Sequence, residues 1–217
     1  MFDNTERKVP KTDIKFDITL NDEQKEAKRQ ILEHPVNFIH GKAGSGKTLV
    51  ACSIGLDLLF KKQKDRIIIT RPTIGTEDNG FLPGTFEEKL EPWLVPIRDN
   101  LRKVYNKPGK LEQLEKDKQI EIVSLQHFRG RTFENAVCVI DEYQNLNKQQ
   151  LKMAIGRLGK GSIMIFCGDD DQIDLKYKND SAIHDIYRLQ NSRWVYITHL
   201  KHNHRHEALD EILELLK

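Results

Sequence analysis

Cysteine is scarce in this chain: the three present, Cys52, Cys138 and Cys167, lie far apart among apolar neighbours. No pair has the spacing of a zinc ligand set or a disulfide framework, so they are expected as small buried hydrophobes in a reducing compartment. No apolar run reaches the roughly eighteen residues that cross a bilayer, so neither a membrane span nor a membrane partner is expected. Residues 1–15 are charged and carry no apolar signal region, which makes a cytoplasmic protein without a secretion signal the expectation. A net charge of +2 is too small to argue for nucleic acid by itself and leaves that role to local basic clusters. Internal repeats and low-complexity tracts are also absent. What remains is a globular composition, 38% hydrophobic and 31% charged over 217 residues, enough for one large domain or two small ones.

Against that background one stretch stands out. Gly41, Lys42, Ala43, Gly44, Ser45, Gly46, Lys47 and Thr48 fit G-x-x-x-x-G-K-[ST], the phosphate-cradling loop of P-loop NTPases. Residues 36–40 read as a short buried strand before it and residues 49–60 as an apolar helix after it, the setting the motif requires. Glycines let backbone N–H groups turn toward phosphate oxygens, and the helix N-terminus adds its positive dipole end. Lys47 is expected to reach the β- and γ-phosphates of ATP, and the Thr48 hydroxyl to ligate Mg²⁺. The competing reading is a glycine-rich turn with a chance lysine; strand and helix on either side argue against it. Upstream, Asn21 and Gln24 have the spacing of a capping box for a helix ending before Pro35. Gln24 has a second candidate role, since a glutamine amide offers both a donor and an acceptor to an adenine edge.

Downstream the chain alternates strand and helix. Apolar or β-branched runs at residues 66–72, 120–123, 137–140, 162–167 and 194–198 read as strands. The segments between them read as helices, with one at residues 147–158 ending at Gly159 and Gly161. A helix from Thr85 toward Tyr105 is expected to bend or be interrupted at Pro92 and Pro96. Residues 73–84 form a long Gly/Pro-rich loop at a strand end, where open α/β sheets place ligands. The alternation predicts an α/β fold, a parallel sheet with helices on both faces, after a polar and mobile lead-in over residues 1–17.

The run of apolar residues ending in Asp141 and Glu142 supplies the second half of a catalytic site. Asp141 is expected to hold Mg²⁺ through its water shell, and Glu142 to polarise the attacking water. Gln172, after the next strand, is a candidate contact for the γ-phosphate or its water; alone, its segment is an ordinary acidic turn. His202, His204 and His206 alternate in a histidine-rich run, but no carboxylate or cysteine completes a metal site. Arg205 in the same run is the better candidate, as an arginine finger stabilising transition-state charge. Arg71, Arg129 and Arg131 fall at strand ends and are candidates to contact a nucleic-acid backbone without base specificity. The alternative for these three is anchoring of loops by internal ion pairs.

Together these motifs resemble the PhoH family, a branch of P-loop ATPases close to superfamily 1 helicases. The resemblance covers the chain from about residue 18, so residues 18–217 are expected as a single domain. It rests on the phosphate loop, Arg71-Pro72, Gly80-Phe81-Leu82-Pro83-Gly84, Arg129-Gly130-Arg131-Thr132, Asp141-Glu142-x-Gln144-Asn145 and Gly168-Asp169-x-x-Gln172. Lys42, where proline is usual, and Tyr143, where alanine is usual, depart from the pattern. The resemblance implies a RecA-like core, ATP hydrolysis and a link to RNA metabolism, with RNA or single-stranded DNA as partner and helicase activity in some relatives. It also supports Gln24 as the adenine reader and Arg205 as the finger. The chain is too short for two tandem RecA-like domains. A homo-oligomeric ring with the finger acting in trans is therefore expected, and the resemblance implies that the ring is a hexamer. Two other readings stay open. One is a small-molecule kinase of the thymidine-kinase type, although that family's zinc-binding cysteine pairs are absent. The other is a nucleotide-gated binding module.

Overall fold

A computed structural model describes residues 15–72 and 86–204, together with 208, 212 and 215. In chain order the elements are α1 (Asp22–Glu33), β1 (Val36–Gly41), α2 (Lys47–Phe60), β2 (Arg66–Arg71), α3 (Phe86–Val104) and α4 (Pro108–Lys116). There follow β3 (Ile120–Ser124), β4 (Ala136–Asp141), α5 (Lys148–Ile155), β5 (Ile163–Gly168), α6 (Ile183–Leu189) and β6 (Val195–Leu200). The six strands form one sheet in the order β3-β2-β4-β5-β1-β6. Every ladder between them is parallel.

The strands are buried on both faces, as near-continuous apolar runs require. Alternate residues divide between two cores. Ile39, Ile67, Ile69, Val137, Val139 and Ile165 pack with α2 and α3 on one face. Phe38, Ile68, Cys138, Ile140 and Phe166 pack with α5 and α6 on the other. A shift of one residue in any ladder would exchange the two sets, so the register is strongly specified. The three cysteines are free and buried, as expected. Burial pushes the Cys138 thiol up to about 12.

Three elements differ from expectation. The helix over residues 86–104 runs for 19 residues without the expected interruption at Pro92 or Pro96. Each proline removes an i→i−4 bond at a cost of about 3 kcal/mol, but Ile97, Leu101 and Val104 at helical spacing bury completely and offset it. Helix α5 stops at Ile155, short of Leu158. Residues 157–159 instead bond with Phe133 through Phe133 N–H to Arg157 O and Gly159 N–H to Phe133 O. At the N-terminal end the packed part begins before residue 18. Phe16 stacks on Phe60 with ring centres 6.4 Å apart. Asp17 N–H donates to Val104 O at 2.9 Å. The expected loop at residues 73–84 and the rest of the lead-in lie outside the described residues, as do residues 205–217 apart from 208, 212 and 215.

Candidate functional site

The strands point their C-terminal ends to one edge, and four of these ends meet in a cleft of about 700 Å³. The phosphate loop leaves β1 and enters α2 at Gly46, whose φ of 83° is a left-handed value that glycine adopts without strain. A Cβ there would lie 2.8 Å from Gln24 Nε2, so a larger residue would displace that amide. Lys47 folds back onto the loop, its Nζ donating to Gly41 O at 2.5 Å and Lys42 O at 3.1 Å. In this way the ammonium is held beside the loop it is expected to serve. Thr48 Oγ1 donates to Asp141 Oδ1 at 2.6 Å, tying the first turn of α2 to the end of β4.

Asp141 is buried, and burial together with the neighbouring Glu142 carboxylate pushes its carboxyl up to about 6. The Thr48 hydroxyl, Arg71 and Lys47 work in the opposite direction. A hydroxyl and a carboxylate oxygen side by side are the hard donors that Mg²⁺ takes when phosphates supply much of its shell. Among the described residues no group of three His, Cys, Asp or Glu could hold a metal without such help. The donor set fits Mg²⁺ carried in with a nucleotide.

Glu142 sits at φ 54°, ψ 44°, a left-handed conformation that turns the chain sharply after β4. Its Oε1 accepts from Arg71 NH2 at 3.1 Å and its Oε2 from Gln144 Nε2 at 2.7 Å. Both oxygens are thus held by donors from two different elements. Arg71, expected at an outer nucleic-acid track, lines the cleft and belongs to the acid pair. The buried Gln144 amide also donates to Gln172 O at 2.9 Å and accepts from Asp169 N–H at 3.1 Å. Gln172 lines the cleft through this connection.

Asp169 and Asp170 divide their work. Asp169 Oδ2 accepts from Ala43 N–H at 2.9 Å, which clamps the phosphate loop to the end of β5. Asp170 turns to the other face, where it accepts from His40 Nδ1 at 2.7 Å, from the Tyr143 hydroxyl at 3.0 Å and from the Tyr187 hydroxyl. Burial alone would raise the Asp170 carboxyl, but these donors hold it down to about 2. Tyr143, the departure from the family pattern, is therefore the centre of a polar cluster directly behind Glu142.

Gln24 is buried, and the capping box is present: Asn21 Oδ1 accepts from Gln24 N–H at 2.8 Å and Gln24 Oε1 from Asn21 N–H at 3.1 Å. The same side chain also reaches the cleft, with Nε2 donating to Ser45 O at 3.3 Å. The two readings of Gln24 are compatible. His204 joins it: its Nε2 lies 3.3 Å from Gln24 Nε2, and its backbone N–H donates to Gly44 O at 3.1 Å.

Among the remaining candidates, Arg131 takes the ion-pair alternative. Its NH2 donates to both oxygens of Glu121 at 2.9 and 2.8 Å, and its guanidinium covers the Phe133 ring. This is the internal ion pair that stood as the alternative to a nucleic-acid contact. Arg129 is exposed. Arg205 lies outside the described residues. Gln144, Asp169 and His204 receive no role from sequence reasoning; Asp169 and His204 meet partners on distant elements, and Gln144 joins nearby Glu142 to Gln172 and Asp169 across the turn. The one usable signal was a polar residue within the strand-end motifs at 144 and 169.

The PhoH-like protein family model matches residues 18–217. A PhoH-like protein of Synechocystis is 41% identical over 161 residues, 74% of this chain and 49% of the relative. The protein PhoH of Escherichia coli is 41% identical over 140 residues, 64% of this chain and 40% of the relative. The chain thus matches about half or less of the length of these curated relatives. The large terminase of bacteriophage D6E superposes over 92% of this chain and 51% of its own with a TM-score of 0.61 at 8% identity. That likeness is one of fold, a P-loop core on a parallel sheet. By its sequence, the chain belongs to the PhoH-like protein family.

Proposed function

We propose that the protein is an ATPase that works with RNA or single-stranded DNA as a homo-oligomer. The observation that carries the hydrolytic part is the Thr48–Asp141 bond of 2.6 Å with Glu142 beside it on the same strand end, all on one cleft with Lys47. Lys47 exchanges its two loop carbonyls for the β- and γ-phosphates when nucleotide enters. Backbone N–H groups at residues 46–48, the start of α2, cradle the same phosphates, helped by the helix dipole. Mg²⁺, when bound, neutralises developing phosphate charge, and Thr48 and Asp141 are the residues that would hold it.

Glu142 is the general base for the attacking water. Arg71 and Gln144 fix its two oxygens and so its orientation. The Gln144 amide spans Glu142 Oε2 and Gln172 O, which links the position of the base to the loop that would sense the γ-phosphate. Arg205, supplied to a neighbouring subunit, is the finger that completes the site. The nucleic-acid and oligomer parts rest on the family resemblance, with the exposed Arg129 as the remaining contact candidate.

The test is phosphate release from Mg²⁺-ATP with and without single-stranded RNA or DNA, alongside a solution mass. Stimulation by one of the two nucleic acids in an oligomer, lost in Lys47→Ala, is the expected result. Unstimulated turnover by a monomer would overturn the nucleic-acid and oligomer parts and leave the ATPase standing.

A further inference from the structure

The reciprocal capping bonds at the start of α1 settle how two amides are turned. Asn21 Oδ1 accepts from Gln24 N–H at 2.8 Å, so Asn21 Nδ2 is the donor end. Gln24 Oε1 accepts from Asn21 N–H at 3.1 Å, so Gln24 Nε2 is likewise a donor end and cannot be exchanged with the oxygen. Both donor groups face one atom, His204 Nε2, at 3.4 Å from Asn21 and 3.3 Å from Gln24. Facing two amide donors, this ring nitrogen takes the acceptor role. The other hydrogen of Gln24 Nε2 goes to Ser45 O at 3.3 Å. The amide therefore keeps one lone pair on Oε1 and no free donor.

This matters for a base that reads Gln24. Adenine offers a ring-nitrogen acceptor beside an exocyclic amine, and a fixed amide matches that pair with one donor and one acceptor. The acceptor half of that partnership is already taken by an imidazole, itself a flat ring with an in-plane nitrogen. The placement of the ring is built into the chain. Glu23 accepts from the backbone N–H groups of Lys201 and His202 at 2.8 and 3.2 Å, and His204 N–H donates to Gly44 O at 3.1 Å. These bonds pin the segment after β6 across the start of α1 and onto the phosphate loop. The imidazole itself is exposed, lines the cleft and lies edge to face against the His202 ring at 4.7 Å, while the bonds that pin the segment are made by backbone N–H groups and do not depend on it.

We propose that His204 is the resident occupant of the base subsite, holding the Gln24 donor until an adenine base replaces it. This rests on reading the cleft as a nucleotide site. A ligand that engages only the phosphate loop leaves the His204 bond intact, whereas one whose base reaches Gln24 must break it. His204 thus weakens binding of any nucleotide that reads Gln24 and has no influence on the phosphates. One neutral hydrogen bond removed from the competition corresponds to about a three- to tenfold gain in affinity.

The experiment is calorimetric titration of Mg²⁺-ATP and of Mg²⁺-tripolyphosphate into the full chain, His204→Ala, Gln24→Ala and the double variant. The expected result is that His204→Ala binds ATP about three- to tenfold more tightly, with tripolyphosphate unchanged. In the Gln24→Ala background the same substitution is expected to bring no gain, because the contested donor is gone. Weaker or unchanged ATP binding by His204→Ala would overturn the proposal, as would equal tightening for both ligands. If the unaltered chain bound neither ligand, the nucleotide-site reading itself would fail, a result distinct from the others.

Discussion

At the scale of single residues, Asp141 is the buried carboxyl group of the cleft. Its carboxyl is pushed up to about 6 from an ordinary 3.8 by burial and by Glu142. A raised carboxyl favours the protonated form in the folded state, so its contribution to stability is fully present below about pH 4 and is lost as pH rises through 6. Two units correspond to about 3 kcal/mol at most. Asp141→Asn keeps an acceptor for the Thr48 hydroxyl and removes the buried charge. Its nucleotide-free melting temperature at pH 7.5 is therefore expected to rise by several degrees, by about 2–4 °C per kcal/mol, while Mg²⁺-dependent hydrolysis is lost. An unchanged or lower melting temperature in differential scanning calorimetry would refute the buried-charge account. Residues such as Lys47, Thr48, Asp141 and Glu142 were legible because their chemistry is carried by local spacing next to an apolar strand. Asp169 and His204 were not, since their partners Ala43 and Gln24 lie 126 and 180 positions away. No periodicity records such a meeting.

At the scale of elements, the site depends on how closely β5 passes the turn after Glu142. Gly168, the last residue of β5, would place a Cβ 2.5 Å from Tyr143 Cε1 and 2.6 Å from Gln144 Oε1. Gly168→Ala must displace the Tyr143 ring or the amide that holds Glu142. Overpacking of this kind costs about 1–3 kcal/mol. A lower melting temperature together with reduced turnover is expected, and a variant that melts and turns over like the original would contradict the close packing. The strands themselves could be read from the sequence to within two or three residues, because six parallel strands buried on both faces leave apolar runs. The ends of helices were less legible. Proline in α3 and the pairing of residues 157–159 with Phe133 are decided by tertiary burial, which overrides a local breaker when the gain in packed area exceeds one lost hydrogen bond.

At the scale of the molecule, the sheet order brings the ends of β1, β2, β4 and β5 to one cleft, and each end delivers a different part of the chemistry. β1 gives the phosphate loop, β4 the two carboxylates, β2 the Arg71 guanidinium and β5 the Asp169 clamp with Gln172 beyond it. Gln144 and Asp169 connect these parts by hydrogen bonds, Gln144 to Glu142, Gln172 and Asp169, and Asp169 to Ala43 of the phosphate loop. The central claim is that this cleft hydrolyses ATP with Glu142 as the base. Its most direct measurement is the rate of phosphate release by Glu142→Gln, taken with its ATP affinity. Turnover is expected to fall by at least about 10²-fold, the scale of a lost general base, with affinity within a few-fold of the original. Glu142→Gln that releases phosphate at the original rate would contradict the account.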